Sequence, residues 1–215
     1  MTTRERLRWL DDNNIELLQE EDELRQLLAH LEAERARGLR WPPKTLVEIG
    51  CWEGGSLFVL AGLLAPGATI IGIDPSPDDK QREKIMTVVR ELVKQGFDAH
   101  CLRRMSYKAQ KTVRDLLAVH KHTAIEYLHI DGSHYYKDVK ADFEMYAPLV
   151  PIGGVIQLHD VTNVYPKTHK HAGKKYGTNT YWHKIIPNYP RHAALAAKVV
   201  TKHVGRTPGI GVIVV

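Results

Sequence analysis

The sequence contains little cysteine and no long apolar run, and both shortages exclude whole classes of protein. Cys51 and Cys101 are the only cysteines among 215 residues; they are too few for a disulfide framework and do not form a Cys-x-x-Cys pair. No apolar run approaches the roughly 18–20 residues that span a bilayer. The polar start Met-Thr-Thr-Arg-Glu-Arg is unlike a signal peptide. We therefore expect a soluble, cytoplasmic protein with reduced thiols and no membrane partner.

The chain also lacks a strong excess of positive or of negative charge. The chain has 30 Lys and Arg against 25 Asp and Glu, for a net charge of +5. Because acidic and basic residues are mixed along most of the chain, charge alone does not support a nucleic-acid partner. With 43% hydrophobic residues, the chain is long enough to bury one ordinary core, and we expect one main domain.

A strand, a glycine turn and a helix are predicted at residues 45–64. Residues 45–49 are mostly apolar and follow two prolines, and residues 56–64 are apolar over the length of a buried helix. Between them, Gly50 and Gly54 allow the backbone to turn sharply or to approach a ligand closely. The free amides at the start of a helix would point toward that ligand. A plain connection without a ligand is the alternative.

A second strand is predicted at residues 68–73, and it ends on Asp74. A carboxylate at this distance beyond a glycine turn is suited to accept hydrogen bonds from both hydroxyls of a ribose. Alternatively, Asp74 is an exposed residue that opens a Pro-Ser-Pro turn. Together with the glycine turn, Asp74 favours a nucleoside-bearing cofactor.

The remaining chain alternates between strands and helices. Further strands are predicted at residues 97–102, 125–130 and 155–158, with helices at 79–95, 109–122 and 139–149, and an antiparallel pair at 198–203 and 210–215. This order predicts a mainly parallel sheet that is covered on both faces and binds its ligand outside the carboxyl ends of the strands. Before this core, residues 3–10 and 14–37 are predicted helices, the second with an apolar stripe. We expect the stripe to pack on the core or on a partner subunit of a homo-oligomer.

Two of the predicted strands deliver carboxylates and imidazoles to the same edge of the sheet. Asp131 and His134 follow the fourth strand, and His159 and Asp160 follow the fifth. Such a group can bind a divalent metal or move a proton. Alternatively, the two aspartates cap turns and the histidines only form hydrogen bonds within the loops.

These motifs together resemble the class I S-adenosylmethionine-dependent methyltransferases, and in particular the "methyltransferase 24" family, which is similar to macrocin-type and cephalosporin-hydroxylase-associated O-methyltransferases. The resemblance covers about residues 45–215. It implies an α/β, Rossmann-like domain with a seven-stranded sheet and a C-terminal antiparallel hairpin. The matching segments are Val47-Glu-Ile-Gly-Cys-Trp-Glu-Gly-Gly-Ser56, Gly72-Ile-Asp74, Ile130-Asp-Gly-Ser-His-Tyr-Tyr136, Asp142, Pro148-Leu-Val150, Gly153-Gly154 and His159-Asp160.

The resemblance also implies a role for individual residues. Asp74 would hold the ribose, Met105 and Ser106 would border the adenine, and Asp131 would lie near the sulfonium. The residues expected around the methionine portion of the cofactor are Glu48, Gly50, Cys51, Trp52, Gly54 and Ser56.

Relatives with carboxylates at these strand ends bind Mg²⁺ beside the acceptor hydroxyl. Asp131 and Asp160 match that pattern, while His159 stands where some relatives carry another carboxylate. Because magnesium prefers oxygen ligands, a site of Asp131, His159 and Asp160 would hold Mg²⁺ less well or select a softer divalent ion. His134 is the expected general base, with Asp131 as the second catalytic residue.

The sequence thus predicts an O-methyltransferase for a small hydroxylated acceptor such as a sugar or a natural product. Residues 1–41 would form a helical extension, and residues 42–215 the cofactor-binding domain, with a basic acceptor or lid loop at about residues 161–180. This loop suggests a second hypothesis, a nucleotide- or RNA-binding protein or an RNA methyltransferase. An NAD-dependent oxidoreductase is disfavoured because the turn reads Gly-x-x-x-Gly.

Overall fold

The computed structural model describes residues 1–19, 21–35, 40–76, 78–162, 176–185, 198–199 and 209–215. The strands within these ranges are β1 (Thr45–Ile49), β2 (Thr69–Ile73), β3 (Asp98–Leu102), β4 (Tyr127–Ile130), β5 (Val155–Leu158), β6 (Lys198–Val199) and β7 (Gly211–Val214). They form one sheet in the order β3-β2-β1-β4-β5-β7-β6. β7 is antiparallel to both of its neighbours, and the other pairs are parallel. The predicted mainly parallel, seven-stranded sheet with a C-terminal antiparallel pair is therefore confirmed.

Helices precede the sheet and connect most of its strands. None of the described helices combines the length and hydrophobicity that a bilayer crossing requires. Short 3₁₀ turns follow the third and the sixth helix. The helices are α1 (Thr3–Asp12), α2 (Glu21–Arg35), α3 (Gly55–Leu60), α4 (Asp79–Lys94), α5 (Ser106–Val119), α6 (Tyr136–Tyr146) and α7 (Gly177–Ile185).

Two apolar cores cover the two faces of the sheet. Successive residues of a strand point to opposite faces, so Leu46 joins the core formed with α1 to α4, while Val47 joins the core formed with α5 to α7. Phe58 of α3 and Phe143 of α6 are buried members of the first and the second core. All residues of β1 are buried, as expected for a central parallel strand that is covered on both faces.

The N-terminal helices pack on the first of these cores. Leu24, Leu27 and Leu31 of α2 are buried in it, and α1 contacts α3. From α1, the buried Arg6 donates a hydrogen bond of 2.9 Å to the carbonyl of Phe58. The apolar stripe of this region thus contacts the core of its own chain.

The predicted start of the second helix, at Asn14, is wrong. Asn14 has a φ of 53°, a left-handed conformation that asparagine tolerates and that ends the helical path. Residues 15–19, which we call the N-terminal strap, are not helical. The amide of Glu16 instead donates to the Glu53 carboxylate at 2.8 Å. The sequence pattern does not indicate this conformation, because the residues that contact the strap lie far from it along the chain.

Candidate functional site

The glycine turn after β1 brings the ends of two neighbouring strands into contact. Gly50 has a φ of 83°, which favours glycine. A Cβ at this position would lie 2.2 Å from the carbonyl oxygen of Asp131. Glycine is therefore required both by the turn and by the close approach of the segment after β4. Trp52, in the same turn, has a positive φ of 46° without being glycine, a strain that is often found at functional sites.

A cavity of about 540 Å³ lies at the carboxyl ends of β1, β2, β3 and β4. This volume falls within the range of about 300–1,000 Å³ that is typical of small-molecule sites. The position outside the carboxyl ends of parallel strands is the one predicted from the sequence. Predicted site residues that line the cavity are Gly50, Cys51, Trp52, Ser56, Asp74, Met105, Ser106, Asp131 and His134.

Two residues expected at the cofactor, Glu48 and Gly54, are not among the lining residues. Glu48 is fully buried behind the turn, where its Oε1 accepts a hydrogen bond from Ser56 and lies 2.9 Å from Nδ1 of His129. Its other oxygen, Oε2, has no hydrogen-bond partner among the described residues. Gly54 is the residue before α3, and a Cβ there would lie 3.1 Å from Val88.

Cys51 contributes an inert thiol to the cavity wall. Its side chain is buried, and a hydrogen bond with Cys101, together with burial, raises the pKa of the Cys51 thiol. The thiol therefore stays neutral, and neither cysteine forms a disulfide.

The carboxylate of Asp74 is held rigidly at the end of β2. Its Oδ1 accepts hydrogen bonds from the amide of Ser76 at 2.7 Å and from Nε2 of Gln81 at 3.0 Å. Its Oδ2 accepts from the amide of Trp52 at 3.0 Å. Because a carboxylate oxygen can accept two bonds, Oδ2 retains capacity for a hydroxyl in the cavity.

Met105 and Ser106 form another wall of the cavity, at the start of α5. Ser106 Oγ donates a hydrogen bond to Oδ1 of Asp142 on α6. Burial raises the pKa of Asp142 to about 6, an effect that the nearby charge of Asp138 increases. Asp142 belonged to the matching motifs, but it was not predicted as a site residue.

Asp131 lies at the end of β4 between the strap and β5. Its Oδ2 accepts a hydrogen bond of 2.7 Å from Nε2 of Gln19, and its Oδ1 lies 3.1 Å from Nδ1 of His159. Burial acts to raise the pKa of Asp131, but attraction to and a hydrogen bond with His159, together with smaller contributions from the neighbouring histidines, outweigh it, and the pKa is lowered. Asp131 is therefore a charged, partly buried carboxylate that faces the cavity.

His134 pairs with the carboxylate that follows β5. Its Nε2 lies 2.6 Å from Oδ2 of Asp160, and its ring stacks on Tyr176 with centroids 4.7 Å apart. Burial acts to lower the pKa of His134, but the hydrogen bond and the charge of Asp160 outweigh it, and the pKa is raised. Asp160 itself has a φ of 60°. The geometry is that of an imidazole oriented by a carboxylate, as in a general base with its supporting acid.

Ligand atoms of Asp131, His134 and Asp160 all lie within 4.8 Å of one another, close enough to hold one metal ion. The predicted metal set contained His159 in place of His134. His159 lies deeper, 5% exposed, with its Nδ1 3.8 Å from Oδ1 of Asp160. The structure thus brings the predicted carboxylates together and places both histidines beside them.

The strap adds side chains that sequence reasoning missed. Glu16, Leu18 and Gln19 line the cavity, and Glu16 accepts a hydrogen bond of 3.3 Å from the indole of Trp52. No local signal marks these residues, because Gln19 and its partner Asp131 are 112 positions apart. Gln81, which holds Asp74, was missed as well, although the two residues are only 7 positions apart.

Two known proteins are similar to this chain in sequence. A protein with 30% identity over 171 residues, from Acanthamoeba polyphaga mimivirus, has no described function; the alignment covers 74% of each chain. A Sinorhizobium fredii protein is 28% identical over 150 residues, which cover 69% of this chain but only 16% of that protein's length.

Solved methyltransferase structures share the fold. The Bacillus cereus O-methyltransferase in complex with S-adenosylhomocysteine superposes with a TM-score of 0.63 at 18% identity, over 99% of this chain and 90% of that one. The O-methyltransferase TomG from Streptomyces achromogenes, in complex with S-adenosylmethionine, gives a TM-score of 0.64 at 19% identity, over 99% and 88%.

A family model described as a methyltransferase domain matches residues 47–161. This segment runs from β1 to just beyond β5, so it contains the glycine turn, Asp74, Asp131, His134 and Asp160. The chain therefore belongs to the "methyltransferase 24" family of class I S-adenosylmethionine-dependent methyltransferases, as the sequence motifs predicted.

Proposed function

We propose that the protein transfers the methyl group of S-adenosylmethionine to a hydroxyl group of a small-molecule acceptor, such as a sugar or a natural product. The observation that carries this proposal is that Asp74 and His134 line one cavity, and that His134 is paired with Asp160. A sulfonium methyl is already activated, so the enzyme mainly has to align the acceptor oxygen with it and exclude water. An aliphatic hydroxyl must also lose its proton near the moment of attack.

The cofactor would occupy the side of the cavity formed by the ends of β1 to β3. Asp74 would accept a ribose hydroxyl through Oδ2, and Met105 and Ser106 would border the adenine. The methionine portion would lie along Gly50 and Trp52. The unpartnered Oε2 of Glu48 would accept a hydrogen bond from the amino group of the cofactor, directly or through water.

The proton of the acceptor would go to His134. Because Nε2 faces Asp160, the accepting nitrogen would be Nδ1. Asp160 would fix the orientation of the ring and stabilise the imidazolium that forms. The raised pKa of His134 matches this role, since the base must hold the proton once it has been taken.

A divalent metal is a second way to assist deprotonation. Asp131, His134 and Asp160 fit such an ion in spacing and charge, and a bound metal would lower the pKa of a coordinated hydroxyl. Two carboxylates suit Mg²⁺, whereas the imidazole shifts the preference toward Mn²⁺ or a softer ion. His134 cannot be a metal ligand and the partner of Asp160 in proton transfer at the same time, so a chelator experiment distinguishes these roles.

The neighbour TomG supports a natural product as acceptor, since it is involved in tomaymycin synthesis. An RNA acceptor would rely on the basic loop at about residues 161–180, of which residues 163–175 lie outside the described part of the chain. The cytoplasmic location and self-association through the N-terminal helices remain predictions.

Thermal unfolding with three ligands tests the proposed cofactor. S-adenosylhomocysteine at about 100 times its Kd should stabilise the protein by about 2.7 kcal/mol and raise the Tm, whereas NAD and a short RNA should not. Methylated products from a panel of hydroxylated small molecules, detected by mass spectrometry, would then identify the acceptor class. A Tm raised only by NAD or by RNA would contradict the proposal.

A further inference from the structure

A second cluster of metal-ligating side chains lies away from the cavity. Asp98 begins β3, which is the edge strand of the sheet, and His100 follows two residues later. His120 is the residue that ends α5. None of the three lines the cavity. Since Asp98 lies at the amino end of β3, the cluster is at the opposite end of the strands from the proposed cofactor site.

The three side chains converge on one carboxylate. Nε2 of His100 lies 2.9 Å from Oδ1 of Asp98, and Nε2 of His120 lies 2.9 Å from Oδ2. The ligand atoms of all three residues lie within 4.8 Å of one another. Two imidazoles and a carboxylate at this spacing form a common ligand set for first-row divalent metals.

One atom of the cluster lacks a hydrogen bond in spite of this proximity. Oδ2 of Asp98 is buried and has no hydrogen-bond partner among the described residues, although His120 Nε2 is only 2.9 Å away. The two atoms are close enough for an ion pair, which forms only if His120 is protonated. A buried carboxylate oxygen without a donor is unfavourable, and a cation in contact with both Oδ2 and Nε2 would remove that cost.

We propose that Asp98, His100 and His120 form a binding site for a divalent transition metal such as Zn²⁺, Co²⁺ or Ni²⁺. Imidazole ligands favour these ions over Mg²⁺ and Ca²⁺, which prefer oxygen shells. The side chains are 27–36% exposed, so water completes the coordination shell. The site is separate from the Asp131–His134–Asp160 cluster and does not depend on the proposed reaction.

A metal at this site links two segments of the fold. It joins the edge strand β3 to the carboxyl end of α5, which otherwise connects to β4 through the loop after His120. A metal ion that binds the folded state and not the unfolded chain would stabilise the protein. The main effect is therefore structural, and it is expected at the free edge of the sheet.

Calorimetry with Zn²⁺ tests the proposal in full-length protein that has been freed of metal. The Asp160→Asn background weakens the other cluster, so that the tighter binding event should be the one at Asp98, His100 and His120. Addition of His120→Gln should weaken Zn²⁺ binding by about tenfold or more, since the loss of even an outer-shell partner typically costs that much. The matched control is His122→Gln, which removes a neighbouring histidine that is not part of the cluster and should leave the affinity within about twofold.

Equal affinity in the His120 and His122 variants would overturn the proposal, because binding would then come from surface histidines in general. Absence of Zn²⁺ binding in the folded Asp160→Asn protein would overturn it as well. If Asp160→Asn does not fold, the same pair of variants is compared in the wild-type background. The proposal then requires that His120→Gln, and not His122→Gln, removes one Zn²⁺ binding event.

Discussion

Replacement of Gly50 by alanine should destabilise the protein more than the same change at two matched glycines. Gly50, Gly67 and Gly96 all have a positive φ, of 83°, 74° and 87°. A Cβ at Gly67 or Gly96 would meet no atom within 4 Å, whereas at Gly50 it would lie 2.2 Å from the carbonyl oxygen of Asp131. All three variants therefore carry the free-energy cost of a left-handed backbone, and only Gly50→Ala adds a steric overlap.

The magnitudes follow from these two terms. A left-handed conformation costs a non-glycine residue about 1–2 kcal/mol, and overpacking adds about 1–3 kcal/mol. We expect the free energy of unfolding to fall by about 1–2 kcal/mol for Gly67→Ala and Gly96→Ala, and by about 2–5 kcal/mol for Gly50→Ala. Urea unfolding at an unchanged m-value measures all three.

The Gly50 variant should also affect the cavity. The overlap can be relieved only by movement of the backbone at Asp131, so the affinity for S-adenosylhomocysteine should fall in Gly50→Ala and not in Gly67→Ala. Equal unfolding free energies for the three variants, or full cofactor affinity in Gly50→Ala, would refute the close approach of the β1 and β4 ends.

His134→Ala should lower the rate of the methyl-transfer step by about 10²- to 10⁴-fold with cofactor affinity nearly intact, while His159→Ala, which removes the imidazole beside Asp131, should have a smaller effect on that step. Single-turnover kinetics that give the reverse order would transfer the role of base to His159. If His134 is the base, turnover should persist in excess chelator; loss of turnover in chelator and its recovery with Mg²⁺ or Mn²⁺ would instead assign His134 to a metal site. Because the native protein keeps the Asp142 proton up to about pH 6 and the unfolded chain releases it near pH 4, stability should fall as the pH rises through this window. In Asp142→Asn, the free energy of unfolding measured in urea should decrease less over this pH range. An unchanged dependence on pH would argue against the raised pKa of Asp142.

The core of the fold could be predicted because its signals are local. The strand ends at Asp74, Asp131 and Asp160 follow from apolar runs that are bounded by turns, and parallel strands place their ends on one edge of the sheet. The position of Asp74 at the cavity follows from the end of the second strand alone, so no long-range contact is needed to predict it.

The strap could not be predicted in the same way. Residues 15–19 continue the apolar and polar spacing of α2, so the pattern favours a helix. What prevents it is the left-handed Asn14 and the bond between Glu16 and Glu53, which depend on tertiary packing. Whether His134 or His159 joins the two aspartates in the candidate metal site also depends on side-chain positions. The sequence pattern does not distinguish them, since both follow strand ends close to an aspartate. Residues 163–175 of the predicted lid loop lie outside the described residues, so that prediction stays open.

Calorimetric binding of S-adenosylhomocysteine to wild-type protein and to Asp74→Asn tests the central claim most directly. The account predicts one bound molecule per chain in the wild type. Because charge-assisted hydrogen bonds contribute about 1.5–3 kcal/mol each, loss of the Asp74 charge should weaken binding by about tenfold or more, while Asp79→Asn at the start of α4 should have little effect. Absence of binding to the wild type, or equal affinity in the two aspartate variants, would contradict the placement of the cofactor in this cavity.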